Sequence, residues 1–345
     1  MPAQIPPENQ SIGRARGRLS ASSLTTFLRC KKQWFLNYRI GLRGPLSPPQ
    51  IMGIEVEDAL CSIFMHRAPV VDSLEELTNW LGGLIEEFTR KALKSGLEIF
   101  EEAMWKKGEF SEYFDEESIS KLLENGVMLQ LEEVKKCYDA GGGVCDFDIP
   151  APCWDKPPHF LQPEKANSMI SWKNEDHEFS PSITWQDAWE IARPWMKDPR
   201  NPEPQRMYHR DRWAAGECDL VHRWDGKTRI IDIKIGDGEG SFASSLKHQL
   251  NFYAWLWNET HDTKCDAIEG WYLKNGLRKQ VDLNPKSTNE YSQIYEEMRS
   301  WNLTNKYPIE EPCLGDSAGC RWCSITEMEF DKPTIAKPCE LISSI

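Results

Sequence analysis

The sequence predicts an α/β protein with a central mixed sheet and helices on both of its faces. Three observations carry this reading. Gly216 to Tyr253, GECDLVHRWDGKTRIIDIKIGDGEGSFASSLKHQLNFY, reads as two strands around an Asp225-Gly226 turn, followed by a helix. CDAIEGWYLKNGLRKQVDL, from Cys265, reads as a second hairpin around Asn275-Gly276, its first strand completing the mixed sheet. SLEELTNWLGGLIEEFTRKAL and SISKLLENGVMLQLEEVKKCYDA keep a 3.6-residue apolar period and are expected as amphipathic helices.

In the first hairpin, the alternation of Ile231, Ile233 and Ile235 turns the apolar side chains to one face and Asp232 and Lys234 to the other. Asp219 lies on the preceding β pattern, so two carboxylates and an amine are expected to meet. On the helix that follows, Gln249 and Tyr253 stand four residues apart and share a face. Two close carboxylates repel each other unless a hard divalent cation lies between them, and oxygen ligands suit Mg²⁺ or Mn²⁺. A lysine beside such a site can orient a water for attack on a phosphodiester.

Taken in order, residues 1–18 are rich in Pro, Gln, Gly and Arg and lack an apolar period, as expected of a mobile tail. Residues 19–66 read as two helices. The first, LSASSLTTFLRCKKQWFLNYRIGLRG, is expected to be one helix with Cys30 inside it and N-caps available at Ser20, Ser22 and Ser23. The second begins at Met52 and carries Glu55, Glu57 and Asp58. Residues 67–209 are expected to be a mainly helical insertion, with a Gly/Pro-rich break near 141–163 and a helix at TWQDAWEIARPWMKD ended or kinked by Pro194. Trp154, Trp172, Trp185, Trp189 and Trp195 fall in this stretch and are expected to pack in a core rather than stack on bases. Residues 210–304 form the hairpin core and a closing amphipathic helix, and 305–345 form a cysteine-bearing segment.

The chain has 345 residues, 40% hydrophobic and 28% charged, enough for one large core or two smaller ones. Its formal net charge of -13 argues against a uniformly DNA-coating surface. Basic residues nonetheless cluster at Lys31 and Lys32, and again at Arg210 and Arg212, where a nucleic acid is expected to bind. No apolar run is long enough to span a bilayer and the first residues lack a signal pattern, so a soluble, cytoplasmic protein is expected. Eleven cysteines are then better read as metal ligands or buried thiols than as disulfides. Cys320 and Cys323 form a C-x-x-C pair, the spacing from which thiolate metal sites are built.

G-E-C-D, D-I-K and Q-L-N-F-Y together resemble the successive motifs of the PD-(D/E)XK nucleases, most closely the RecB-like branch with its Q-x-x-x-Y helix. The resemblance implies a restriction-endonuclease-like core and a metal-dependent deoxyribonuclease. Glu57, Asp219, Asp232 and the backbone carbonyl of Ile233 would be metal ligands, with Glu57 favoured over Glu55 and Asp58. Lys234 would be the catalytic lysine, and Gln249 and Tyr253 would orient it and the scissile strand. Cys30 after the S-x-S helix, with the C-x-x-C pair, resembles the iron-sulfur group of this family, including CRISPR-associated RecB-like exonucleases and AddB-type nuclease domains. That implies a [4Fe-4S] staple held by Cys30, Cys320, Cys323 and either Cys339 or Cys313, with Cys339 preferred and zinc as the alternative metal. It further implies single-stranded or end-bearing DNA as substrate, in repair, recombination or CRISPR adaptation, with a helicase or integrase as partner. A catalytically silent DNA-end-binding or scaffold protein of the same fold is the rival reading.

Overall fold

A computed structural model describes residues 18–40, 46–102, 115–142, 183–196, 207–239, 242–261, 264–283, 286 and 288–303. The tail at 1–17, the break at 143–182 with Trp154 and Trp172, and the segment bearing Cys313, Cys320, Cys323 and Cys339 lie outside these residues. The helices are α1 (Ala21–Arg29), α2 (Lys31–Trp34, continued by a π-helical turn over Phe35–Ile40), α3 (Pro48–Phe64), α4 (Leu74–Glu102), α5 (Glu116–Asp139) and α6 (Trp185–Ile191). Strands β1 (Trp195–Met196), β2 (Met207–Tyr208), β3 (Ala215–Gly216), β4 (Leu220–His222) and β5 (Arg229–Lys234) follow. Helix α7 (Phe242–His261), strands β6 (Ala267–Tyr272) and β7 (Leu277–Val281), and helix α8 (Thr288–Leu303) complete the order. Among the described residues no helix is long and apolar enough to cross a membrane.

The chain divides into two compact units. The larger, residues 46–207 and 217–283, holds a five-stranded sheet in the order β1-β4-β5-β6-β7. Only the β5–β6 pair is parallel, and α7 supplies the crossover that a parallel pair requires. The two expected turns are present, with Gly226 and Gly276 at φ 76° and 59°, values that glycine adopts without Cβ strain.

One face of this sheet, through Leu220, Ile231, Ile233 and Trp271, shares a single apolar core with α3, α4, α5 and α6. The helices expected as an insertion therefore cover the sheet itself, and β1, from the same stretch, extends it. Trp189 fills the centre of the helical layer, edge-on to Phe64 and Trp80 at 6.3 and 5.9 Å, with its indole N–H donated to the His66 carbonyl. Pro194 follows the end of α6 and precedes β1, as a residue unable to donate in a helix should.

His222 is fully buried on this face, and neither ring nitrogen has a hydrogen-bond partner among the described residues. Burial depresses its pKa to about 3, the Glu133 carboxylate opposing the shift. The unfolded chain, with an ordinary histidine near 6.5, therefore binds the extra proton first. Stability is lost as pH falls from that value towards 3, by about 2 kcal/mol at pH 5 for this one group. His222→Leu should remove that slope, so its melting temperature should fall less than the wild type's between pH 7 and pH 5. Parallel curves would refute the assignment.

The smaller unit comprises residues 1–45, 208–216 and 284–345. Ser20 caps α1 through a reciprocal bond with Ser23. The single helix expected across Cys30 is a correction: Cys30 is extended at φ -158° and ψ 106°, ending α1 and starting α2. Its sulfur accepts the Gln33 amide at 3.4 Å, so the side chain replaces a helical partner that the chain would otherwise have kept. In this unit Lys31 pairs with Glu297 of α8 at 2.5 Å, and Trp213 lies 5.3 Å from Tyr295.

Candidate active site

The antiparallel register of β4 and β5 builds the site. Leu220 pairs with Ile231, so the next residue outward, Asp219, faces Asp232 across the ladder. The Ile233 amide donates to Asp219 Oδ2 at 2.8 Å and fixes that carboxylate. Lys234 completes the group: its ammonium contacts the Asp232 carboxylate and donates to the Ile233 carbonyl at 3.3 Å.

Helix α7 closes this face of the sheet. It lies so near β6 that a Cβ on Gly270, the register partner of Asp232, would fall 2.6 Å from a Leu246 methyl. With glycine there, the Leu246 methyl packs in place without having to shift. One turn on, Gln249 donates to the Tyr253 hydroxyl at 3.4 Å. Tyr253 is buried beside the acidic pair, and its pKa is pushed well up by burial and then by Asp219 and Asp232. The phenol therefore stays protonated and able to donate a hydrogen bond.

Electrostatics ties the carboxylates together. Asp219 is raised well above the usual carboxylate range, first by burial, then by Glu57, then by Asp232. Asp232, 1% exposed, is raised by burial, with Lys234 opposing. Burial alone would depress Lys234, but Asp232, Asp219 and Glu57 outweigh it and its pKa is raised. The lysine is a cation throughout the neutral range.

Helix α3 resolves the three expected acidic candidates. Gln50, Gly53, Ile54 and Glu57 recur at helical spacing and line one groove together with Lys234 and Gln249. Glu55 points the other way, is 7% exposed, and has its pKa raised by burial, with a Ser95 hydrogen bond opposing and Asp58 and Glu98 adding to the rise. Glu55 is therefore a buried carboxyl rather than a surface charge.

Among the described residues no three His, Cys, Asp or Glu side chains form a closed ligand set. What the site offers is the Asp219–Asp232 pair, with Glu57 in its field. Apart from the Lys234 ammonium, neither oxygen of Asp232 has a hydrogen-bond partner among the described residues. Carboxylate oxygens gathered where Glu57 and Asp232 raise the Asp219 pKa fit a hard divalent cation, which would relieve the repulsion.

The other expected site residues belong to the smaller unit. Cys30 is buried at the start of α2. Arg210 and Arg212 are exposed, and Arg212, at φ 64°, places its guanidinium 4.9 Å from the centre of the Tyr208 ring. Arg18 lies 5.0 Å from the centre of the same ring. Arg18 and Tyr208 were not read from the sequence as a pair, because 190 residues separate them and no local pattern joins them.

A fold in which paired carboxylates and a lysine share the end of a central hairpin, covered by a Gln/Tyr helix, defines a class of phosphodiester-cutting enzymes. The match by family bears this out: the PD-(D/E)XK nuclease superfamily matches residues 18–133 and 178–328, more than half of the chain. The chain belongs to that superfamily, whose members are nucleases that typically use Mg²⁺ or Mn²⁺. Helix α4 and most of α5 fall inside the matched residues. A search of curated proteins finds no match.

Proposed function

We propose that the protein is a metal-dependent deoxyribonuclease that degrades single-stranded or end-bearing DNA from an end, in repair, recombination or CRISPR adaptation. The observation that carries the reading is the meeting of Asp219, Asp232 and Lys234 at the end of the β4–β5 pair. Glu57, Asp219, Asp232 and the Ile233 carbonyl would hold Mg²⁺ or Mn²⁺. Such an ion supplies Lewis acidity for phosphodiester hydrolysis.

The chain's own groups do the rest. Lys234, anchored by Asp232 and the Ile233 carbonyl, orients the attacking water and neutralises charge that develops on the phosphate. Tyr253, kept protonated, and Gln249 position the lysine and the scissile strand by hydrogen bonds. Lys31, Lys32, Arg210 and Arg212 contact the DNA backbone. Arg210 and Arg212 are exposed, whereas Lys31 already pairs with Glu297 and would have to exchange that partner.

Cys30, with Cys320, Cys323 and Cys339 or Cys313, would hold a structural [4Fe-4S] cluster, or zinc on the same thiolates. Cys30 lies between two helices, a position that fixes one ligand against the backbone. A helicase or integrase is the expected partner.

The test combines two measurements on anaerobically purified protein. Iron, sulfide and zinc contents assign the cysteine site. Incubation of 5′- and 3′-labelled single-stranded DNA with Mn²⁺ should give products that reveal polarity and that vanish in Lys234→Ala. Undegraded DNA bound by both proteins would replace the nuclease with an end-binding scaffold.

A further inference from the structure

Beside the acidic pair lies a groove of about 570 Å³, within the size range of small-molecule sites and far larger than one phosphate needs. Glu57, Lys234 and Gln249 form its end nearest the acidic pair. The rest of its wall is apolar, from Pro49, Ile54, Ile235, Leu246 and Tyr272, or acidic, from Asp237 and Glu239. Among the described lining residues Lys234 is the only cation, and it is already engaged by Asp232.

This distribution of charge selects the occupant. A second phosphate would meet apolar side chains and the carboxylates of Asp237 and Glu239, and the two lysines at that end are engaged, Lys274 by Asp237 at 3.6 Å and Lys279 by the Gly238 carbonyl at 2.8 Å, so the wall suits an uncharged group better than the polyanionic backbone. A neutral, flat group meets apolar wall on several sides. Whatever fills the groove must also be continuous with a phosphate at Lys234. A nucleoside base satisfies both conditions.

The wall is built to stay in place. Tyr272 is the register partner of Lys234 on the parallel strand β6, so its ring begins where the lysine ends. A Cβ on Gly238, at φ +81°, would stand 2.8 Å from this ring, so the 236–239 loop can pack on it only through glycine. Lys279 locks the arrangement, donating to the Gly238 carbonyl at 2.8 Å with its ammonium 5.3 Å from the ring centre. A fixed aromatic floor loses little entropy when a base is laid on it.

We infer that the groove is a base pocket, which takes one unpaired nucleobase of the nucleoside attached to the scissile phosphate. The inference rests on the nuclease reading and narrows it: the substrate must present that base out of a duplex, so single-stranded or frayed ends are favoured over paired DNA.

Gly53 provides the test. It lies within α3, lines the groove, and a Cβ added there meets nothing within 4 Å. Gly53→Leu therefore projects into the pocket without strain, and as a better helix former than glycine it should keep or raise the melting temperature. Binding is measured by anisotropy with fluorescein-labelled trideoxynucleotides in Ca²⁺, with all three bases present or with one abasic sugar at each position in turn. Loss of one particular base should weaken wild-type binding about 10-fold, the scale of a single stacked base. Gly53→Leu should weaken binding of the intact trinucleotide similarly and become indifferent to that abasic position. Equal binding of all abasic probes, no binding of any probe, or an unaffected Gly53→Leu would overturn the pocket. Cleavage by the wild type in Mn²⁺ judges the other reading: cleavage with a flat abasic scan sinks the pocket alone. Base-sensitive binding without cleavage supports the pocket and sinks the nuclease.

Discussion

Asp219→Asn is expected to lower Mn²⁺-supported DNA cleavage about 10³-fold, the scale of losing one fixed electrostatic contact to the transition state, while raising the melting temperature of the metal-free protein. The two effects have one cause. Asp219 holds its proton more tightly folded than unfolded, because it is buried and faces Glu57 and Asp232. A carboxylate with a raised folded pKa costs stability once pH exceeds the ordinary value of 3.8, and the cost is complete above the raised value. Asparagine removes the cost and still offers an oxygen to the Ile233 amide. The stability gain should therefore grow as pH rises above about 4 and vanish as pH falls towards that value. Thermal melts in EDTA at several pH values, beside cleavage assays in Mn²⁺, measure both. A variant that loses activity and melts lower at neutral pH would show Asp219 to be a structural hydrogen-bond acceptor rather than a stored repulsion. Function at the expense of stability is what a site assembled for a cation should display.

The site was legible because its chemistry is local in sequence. Asp225-Gly226 sets the turn, the turn sets the register, and the register brings Asp219 opposite Asp232. The Gln249/Tyr253 pair was likewise a matter of helical spacing. Glu57 was chosen over its neighbours by resemblance, and the groove it lines supports the choice by placing Gln50, Gly53 and Ile54 on the same face. The base pocket was not legible, since Tyr272 joins Lys234 only through a parallel pairing that spans α7. Amphipathic periods announced α4 and α5 but not what their apolar faces cover: both join the core that the sheet shares, α4 by packing on α3 and α5. The break at Cys30 escaped for a different reason: its apolar spacing continues through the helix end, and only the Gln33 amide on the sulfur reveals that the backbone has turned.

The buried network around Glu133 was wholly hidden, and it carries the largest stability effect expected in this chain. Glu133 sits on the core side of α5 with a fully buried side chain. It accepts from the Trp224 indole at 3.1 Å, pairs with Arg229 at 2.8 Å and Lys136 at 2.9 Å, and contacts Arg278. These partners lie up to 145 residues away in sequence, so no local pattern could announce them. Burial works to raise its pKa, yet His222, Arg229, Lys136 and Arg278 outweigh it and hold the carboxylate well below the usual range. The guanidinium groups are nearly as enclosed, the Arg229 and Arg278 side chains being 12% and 17% exposed. Glu133→Ala would leave these largely buried arginines only their more exposed partners, Asp225 at 3.4 Å for Arg229 and Glu132 at 3.0 Å for Arg278, and should cost about 3 kcal/mol, the low end of the penalty for removing one member of a buried ion cluster. Glu133→Leu combined with Arg278→Met should recover part of that loss, because an apolar replacement leaves fewer charges to solvate. Urea unfolding of the three proteins measures the order: wild type first, the double variant next, Glu133→Ala last. If Glu133→Ala came within about 1 kcal/mol of wild type, water would be reaching these arginines, and the network would be a surface cluster of the weak kind.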